Sequence, residues 1–330
     1  MSIILFGEAL IDSFPDADVL GGAPFNVACA LSAFGAAPLL ISAVGLDAGA
    51  DTIRSAMRRF GLDESGLQTD PFHPTGRVAV ELSADGHTFD ILANQAYDHI
   101  DSAQAAAAMA AAATQAGPQV LYFGTMAQRN PVSRDGLHQL LAQSQTTKFL
   151  DLNLREGTYT PESVAASLKH ADILKVNESE LLFLLAHFVA PDADFLVRFD
   201  NDMRSSPLLP ALQSLLDQFS LQSIIITLGE RGYACLDRMG RMIADDTPAA
   251  APDVIDTVGC GDGFSAVILF GIASSWPLDI SLERARRFAS DVCSLRGGVA
   301  PDLDFYRRHQ AQWTGENERE AENSAQSSGL

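Results

Sequence analysis

Short apolar runs rich in β-branched residues alternate with helical patterns through most of the chain. The runs predict strands at residues 3–6, 39–44, 120–123, 148–152, 173–176 and 223–228. Helical patterns follow at residues 25–34, 48–60, 102–115, 134–143, 161–169, 264–274 and 282–295. Strands that alternate with helices favour a parallel sheet covered on both faces. The pattern therefore predicts an α/β fold, a three-layer α/β/α sandwich with a mostly parallel sheet.

Residues 76–93 interrupt this rhythm with two runs of period two around Ala84, Asp85 and Gly86. Asp-Gly between alternating runs is a strong hairpin signal. We expect residues 76–93 to form an antiparallel ribbon. Together the segments from about 12–20 and 75–93 are expected to form a small β-sheet lid. An ordinary edge hairpin is the alternative, and a second hairpin is predicted at residues 232–244.

The chain has 330 residues, a length that one large α/β domain can reach. We predict a single domain over residues 1–312 and a polar tail over 313–330, disordered or loosely docked. Residues 186–210 are predicted to form a surface excursion, to which the sequence assigns no purpose.

Acidic residues outnumber basic ones by 42 to 22, which gives a formal charge of −20. Such a surface repels nucleic acid and anionic membranes, so neither is an expected partner. A nucleotide would need a local glycine-rich loop and a metal ion. Residues 264–276 are too short and too interrupted for a membrane span, and residues 1–12 resemble a first strand more than a signal peptide.

The four cysteines, at positions 29, 235, 260 and 293, are scattered and form no C-x-x-C pair. A chain of this size does not need disulfides. We therefore expect reduced thiols and a cytoplasmic protein.

The richest chemistry lies in Asp256 to Phe264, DTVGCGDGF, followed by an apolar helix. A glycine-rich turn that opens a helix directs free backbone N–H groups outward at the positive end of the helix dipole. Gly259 and Gly261 allow close backbone approach, and Asp262 stands where it could take a proton from an attacking hydroxyl. A P-loop is excluded because its lysine is absent, and G-x-G-x-x-G fails at Phe264. An aspartate that merely caps the helix is the alternative.

GEALID, followed by LGGAPFNVACALSAFG, resembles the sugar side of the fructokinase-like carbohydrate kinases. Asp12 supplies a carboxylate for two hydroxyls, Gly21 and Gly22 permit close approach of a ring, and Asn26 offers a donor and an acceptor. For Asn26 alone, helix capping is the stronger interpretation; for the set, a sugar site is.

DTVGCGDGF resembles the D-T-x-G-A-G-D signature of the PfkB, or ribokinase-like, carbohydrate kinases, with Cys260 in place of alanine. The resemblance implies that backbone amides of residues 258–261 hold the γ-phosphate charge of ATP. It also implies that Asp262 deprotonates the sugar hydroxyl and that Thr257 lies near the phosphates.

Other segments match the family in order, from about residue 3 to residue 301. KVNESE resembles the N-x-x-E element, in which Asn177 and Glu180 organise water, Mg²⁺ and the nucleotide phosphates; an asparagine cap followed by acidic residues is the alternative. TLGERG resembles the turn that borders the ATP phosphates and ribose, which implicates Thr227, Gly229 and Gly232. DLNLR resembles a D-x-N-x-R element in which Arg155 meets the substrate or the transferring phosphate.

LGGAPFN resembles the fructokinase-like branch of the family. The resemblance implies an ATP-dependent sugar kinase that uses Mg²⁺, converts fructose to fructose 6-phosphate and forms a homodimer through its lid. A requirement for a monovalent cation such as K⁺ stays open. The alternatives are a kinase for 2-keto-3-deoxygluconate, ribose or a nucleoside and, from another class, a sugar- or nucleotide-binding protein without turnover.

Overall fold

The computed structural model describes residues 2–83, 86–112, 118–190, 208–246 and 254–327. The strands are β1 Ser2–Phe6, β2 Leu10–Ser13, β3 Asp18–Gly21, β4 Ala37–Val44, β5 Leu67–Thr69, β6 Gly76–Ser83, β7 Gly86–Ile91, β8 Pro118–Phe123, β9 Thr147–Asp151, β10 Ile173–Asn177, β11 Ser223–Thr227, β12 Tyr233–Asp237 and β13 Met242–Asp245. The α-helices are α1 Ala23–Ala33, α2 Ala48–Phe60, α3 Ser102–Ala112, α4 Pro131–Gln143, α5 Pro161–Leu168, α6 Glu178–Leu184, α7 Leu208–Phe219, α8 Cys260–Ala273, α9 Leu278–Val292 and α10 Asp304–Ser327.

The large sheet has the strand order β13-β12-β11-β10-β9-β8-β1-β4-β5 over the described residues. Its pairs are parallel except at one edge, where β11, β12 and β13 run antiparallel. The predicted α/β sandwich with a mostly parallel sheet is therefore confirmed, and the hairpin predicted at 232–244 is the β12–β13 pair.

Two hydrophobic clusters cover the faces of this sheet. Ile3 and Leu5 of β1 belong to the cluster formed with α1, α2, α8 and α9. Ile4 and Phe6 belong to the other, which includes residues of α4 to α7. Successive side chains of a strand point to opposite faces, so a strand buried on both faces is apolar throughout.

A smaller sheet has the order β3-β2-β6-β7. The β6–β7 pair is antiparallel, as the period-two runs predict, and β2 joins β6 in parallel. Residues 84 and 85 of the predicted turn lie outside the described residues, as do residues 191–207 of the predicted excursion. The smaller sheet is thus present in the predicted segments, and its action as a lid is a separate proposal.

The C-terminal segment differs from the prediction of a polar tail. Helix α10 spans Asp304–Ser327, and Trp313 packs edge-on against Phe34 with ring centroids 4.9 Å apart. Arg284 of α9 pairs with Glu316 at 3.1 Å. Trp313 also contacts Phe270 and Trp276, and Glu316 also pairs with Arg287 at 3.2 Å. Aromatic packing and ion pairs therefore hold a helix that the polar composition did not predict. In the described part of the chain, no helix is both long and apolar enough to cross a membrane.

Candidate active site

The predicted glycine-rich turn opens helix α8. Gly259 occupies the N-cap position with a φ of 82°, and a Cβ there would collide with the backbone of Gly298. The Asp256 carboxylate orders the same turn, because it accepts hydrogen bonds from the amides of Val258 at 2.9 Å and Gly297 at 3.1 Å. Both the left-handed conformation and the close approach restrict the N-cap position to glycine.

The amides of the turn are not equivalent. Val258 donates to Asp256, so the implied role of its amide in phosphate binding does not hold in this structure. The amide of Cys260 donates to Thr257 O in a long, 3.4 Å contact. Within the described segments, the amides of Gly259 and Gly261 have no protein acceptor. These two amides stand at a helix N-terminus and are suited to an anion.

Asp262 lies in the first turn of α8, and its Oδ2 accepts a hydrogen bond from Asn26 Nδ2 at 2.8 Å. Because the N-cap is Gly259 and no side chain caps the helix, the alternative of a capping aspartate is wrong. Burial raises the pKa of Asp262 above its ordinary value, and the Asn26 hydrogen bond opposes that rise.

Asn26 belongs to α1, whose N-cap is Gly22 with a φ of 101°. A Cβ on Gly22 would lie 2.6 Å from Glu8 O, so the backbone passes there at close range. Asn26 therefore does not cap the helix, and the capping interpretation is wrong. Its side chain is 4% exposed, and its Oδ1 is buried without a protein partner among the described residues. This amide oxygen retains the capacity to accept a hydrogen bond.

Asp12 enters the same region from β2 of the smaller sheet. A Cβ on Gly21 would collide with the Asp12 carboxylate, so the two residues are in direct contact. Burial raises the pKa of Asp12 to about 6, the exposed Arg155 guanidinium lowers it, and Asp262 raises it. The structure thus brings Asp12, Arg155 and Asp262 into electrostatic range of one another.

Asn177 and Thr227 lie beside each other at the carboxyl ends of β10 and β11, where the strand register pairs them. Ligands of open α/β sheets bind at this edge. Asn177 caps α6 in a reciprocal arrangement with Glu180, with N–H to oxygen distances of 2.9 and 2.8 Å. The capping interpretation of N-x-x-E is confirmed.

Glu180 was predicted as the metal residue. It is 6% exposed, and its two oxygens accept the amides of Leu154 and Asn177, both at 2.8 Å. In the described residues no group of three or more His, Cys, Asp or Glu side chains could hold a metal ion. One carboxylate whose oxygens are already engaged fits Mg²⁺ only through the water that this ion retains.

The turn after β11 matches the predicted position. Gly229–Arg231 forms one 3₁₀ turn, and the Leu228 amide donates to Gly232 O at 2.9 Å. Arg231 of this turn forms an ion pair with Glu178 of α6. Thr227 donates its hydroxyl to Val176 O at 3.3 Å, and Thr257 is exposed beside the signature turn.

Three further charged residues of the site escaped sequence analysis. Glu8 is 2% exposed and accepts the Ala23 amide at 3.2 Å, and burial raises its pKa to about 7. Asp151 and Lys175 form a buried ion pair of 3.0 Å. The sequence contains a pattern that could have indicated each of them. Glu8 comes directly after the glycine that follows the first strand, and Asp151 and Lys175 are charged residues within apolar strand runs.

Cys260 and Cys293 form a disulfide with a Cα–Cα distance of 5.9 Å. The expectation of reduced thiols is wrong for this pair, while Cys29 and Cys235 are free and buried. The physical reason is the packing of α8 against α9, which brings the start of one helix beside the end of the other.

The fold is the ribokinase-like α/β fold, and the site gathers its polar groups at the carboxyl ends of the strands. A model described as pfkB family carbohydrate kinase matches residues 17–304. The chain belongs to the PfkB family of carbohydrate kinases.

Proteins of similar sequence align with this chain over most of their length. The chain is 24% identical to Fructokinase-2 of Oryza sativa subsp. japonica, over 91% of this chain and 90% of that protein. It is 27% identical to a putative sugar kinase, PH1459, of Pyrococcus horikoshii, over 89% of each.

Solved structures share the fold. Fructokinase with bound ATP from Xylella fastidiosa superposes with a TM-score of 0.76 at 19% identity, covering 95% of this chain and 99% of that one. A double-mutant fructokinase from Vibrio cholerae with fructose, ADP and potassium gives 0.72 at 21% identity, with 93% and 97% covered. Aminoimidazole riboside kinase from Salmonella enterica, solved with its riboside and an ATP analogue, gives 0.73 at 19% identity, with 94% and 100% covered.

Proposed function

We propose that this protein transfers the γ-phosphate of ATP to a hydroxyl of a small sugar, with Asp262 as the base. One observation carries the proposal. Asp262 stands beside the open amides of the α8 N-terminus and is hydrogen-bonded to Asn26, which the sequence places on the sugar side. In this proposal the proton acceptor, the anion site and a group assigned to the sugar therefore lie next to one another.

The reaction balances with these groups. The sugar oxygen forms a bond to the γ-phosphorus, the bond from phosphorus to the β–γ bridging oxygen breaks, and ADP leaves with that electron pair. The hydroxyl proton passes to Asp262. The amides of Gly259 and Gly261, with the helix dipole, balance charge on the transferring phosphoryl group.

The nucleotide is proposed to lie along the carboxyl ends of β10 and β11. Asn177, Thr227, Gly229, Gly232 and Thr257 would border its phosphates and ribose. Mg²⁺, held through water near Glu180, would neutralise charge on the phosphate oxygens. We include a monovalent cation such as K⁺ among the proposed cofactors, because the Vibrio cholerae fructokinase was solved with potassium.

The smaller sheet is proposed to act as a lid of the single kinase domain. It carries Asp12, and the β2–β3 turn is joined to the segment after α9 by an ion pair between Asp16 and Arg296 at 2.6 Å. A sheet that closes over the sugar would exclude water and favour transfer to sugar over hydrolysis of ATP. A homodimer formed through this sheet and a cytoplasmic location complete the proposal.

Fructose is the proposed acceptor, because LGGAPFN matches the fructokinase-like branch and the relatives include proteins named fructokinase. In this proposal Asp12, Gly21, Gly22, Asn26 and Arg155 contact the sugar. 2-Keto-3-deoxygluconate, ribose and nucleosides are the rival acceptors, and aminoimidazole riboside kinase shares the fold. The buried carboxylates at the site favour a neutral, hydroxyl-rich ligand over an acidic one.

The deciding experiment measures ADP release from MgATP with fructose, ribose, 2-keto-3-deoxygluconate, glucose and adenosine. The highest kcat/KM with fructose supports the full proposal. Preference for another acceptor would contradict fructose as the substrate and still support the kinase activity. No turnover with any acceptor, together with ATP binding by calorimetry, favours the alternative of a binding protein without catalysis.

A further inference from the structure

A buried ion pair lies behind the signature turn. Lys175 on β10 and Asp151 at the end of β9 are 6% and 1% exposed, and Lys175 Nζ lies 3.0 Å from Asp151 Oδ1. Asp151 Oδ2 also accepts hydrogen bonds from Ser265 Oγ at 2.7 Å and Tyr122 OH at 3.3 Å. Burying two charges is unfavourable unless they are paired and hydrogen-bonded, and this pair satisfies both conditions.

The lysine reaches the catalytic turn. A Cβ built on Gly261 would lie 3.0 Å from Lys175 Nζ, so the ammonium is in contact with the residue whose amide faces the proposed phosphoryl site. Lys175 and Asp151 also act on Asp262 in opposite directions: the ammonium lowers the pKa of Asp262 and the carboxylate raises it. Burial alone would lower the pKa of Lys175, and Asp151 raises it above its ordinary value, so the lysine stays charged.

Stability alone is a weak reason for such a pair. Apolar residues of similar volume often replace a buried ion pair without loss of stability. A fixed positive charge in a desolvated site is more useful where negative charge develops during a reaction. Lys175 is at that place in the proposed function, because Gly261 and Asp262 are adjacent in the chain and Lys175 contacts one and acts on the other.

We propose that Lys175, held in place by Asp151, is the fixed positive charge behind the signature turn, and that it keeps Asp262 anionic and stabilises the transferring phosphoryl group. This inference rests on the proposed kinase function and adds a positioning residue to it. Lys175 acts through Asp262 and the turn, whereas Asp151 holds Lys175 in place and also raises the pKa of Asp262 directly.

Other groups face Asp262 and stay unchanged in the test. They are Glu8 in the loop after β1, Asp12 on β2, Asn26 on α1, Tyr122 on β8 and Arg155 in the loop after β9. A shift caused by substituting Lys175 or Asp151 can therefore be assigned to the pair.

The test is the pH profile of kcat/KM, whose acidic limb reports the base of the free enzyme. For Lys175→Gln we expect the limb to rise by about one pH unit, because Asp262 loses a neighbouring cation. For Asp151→Asn we expect a shift in the opposite direction, and Lys175→Arg should stay near wild type. Loss of activity at every pH with an unmoved limb in Lys175→Gln would overturn the proposal, since it would show structural damage alone.

A control variant and a double variant distinguish the electrostatic effect from a loss of folding. Lys169→Gln is the matched control, because Lys169 is exposed and follows α5 at the opposite end of β10. If a single variant fails to fold, the double variant Lys175→Gln with Asp151→Asn removes both charges; the proposal expects a folded protein with kcat lowered about 10- to 100-fold. Unchanged kcat in the folded double variant would overturn the proposal.

A readout without turnover separates this inference from the kinase proposal. In protein labelled with ¹³C-aspartate, the Asp262 carboxyl signal is assigned by its loss in Asp262→Asn and then titrated in each variant. If wild type turns over no acceptor but the signal shifts as expected, the kinase proposal fails and the electrostatic coupling stands. If turnover is present and the signal does not move, the coupling fails and the kinase stands.

Discussion

Asn26 Nδ2 donates a 2.8 Å hydrogen bond to Asp262 Oδ2 and so joins two residues that are 236 positions apart. The contact ties the helix after LGG to the helix after the signature turn. It also acts on the charge of Asp262, since a hydrogen bond to a carboxylate favours the ionised form.

Asn26→Ala should therefore weaken the base. Without the hydrogen bond, burial raises the pKa of Asp262 further, so the acidic limb of kcat/KM should move to higher pH. We expect kcat/KM at neutral pH to fall about 10- to 100-fold. Asn130→Ala is the control, because it removes an asparagine whose side chain makes a hydrogen bond as the cap of α4. An equal shift in both variants would show a general loss of stability.

Glu8 should make stability depend on pH. Its pKa is raised from 4.5 to about 7 in the folded protein by burial, so the folded state binds more protons than the unfolded state between these values. The contribution of Glu8 to the free energy of unfolding should therefore decrease as the pH rises from 4.5 to 7 and then level off.

Glu8→Gln retains an oxygen for the Ala23 amide but cannot ionise. Urea unfolding should find it more stable than wild type at pH 8, by about 3 kcal/mol at most, with a smaller difference at pH 5. The exposed Glu230→Gln serves as the comparison. The same Glu8→Gln difference at both pH values would contradict the assignment.

The disulfide between Cys260 and Cys293 closes a sequence separation of 33 residues. Reduction should lower the free energy of unfolding by about 2–4 kcal/mol, because the reduced unfolded chain has more conformational freedom. Urea unfolding with and without dithiothreitol measures this difference. In Cys293→Ala the reductant should not change the free energy of unfolding. If dithiothreitol also leaves the free energy of unfolding of wild type unchanged, the prediction is wrong.

The lid proposal predicts a kinetic effect of Asp16→Asn. The variant breaks the ion pair with Arg296, which lies at the surface, so its stability should stay close to that of wild type. Weaker closure should instead increase hydrolysis of ATP relative to sugar phosphorylation. The ratio of phosphate to sugar phosphate released from ATP measures this, and an unchanged ratio would count against a closing sheet.

Local patterns predicted much of this molecule. Strands such as β10 and β11 are short apolar runs whose type follows from composition, and DTVGCGDGF marks its own turn because only glycine fits position 259. The β6–β7 hairpin follows from period-two runs. In each case a few adjacent residues carry the information.

Relationships across the sheet escaped prediction. Lys175 meets Asp151 because β9 and β10 are paired in a register that places them side by side. The contact of Asn26 with Asp262 depends on the packing of α1 against α8. The disulfide between Cys260 and Cys293 depends on the packing of α8 against α9. Helix α10 is held by Trp313 and Glu316, whose partners lie elsewhere in the chain. Such contacts depend on the tertiary fold, so a local pattern can mark an unusual residue but does not identify its partner.

The most direct test of the central claim compares wild type with Asp262→Asn in the release of ADP from MgATP and fructose. Asp51→Asn is the matched control, because Asp51 is an exposed aspartate in the first turn of α2. We predict that Asp262→Asn lowers kcat by about 10³-fold and leaves ATP affinity by calorimetry within a few-fold of wild type. Wild-type turnover that survives in Asp262→Asn would contradict the account.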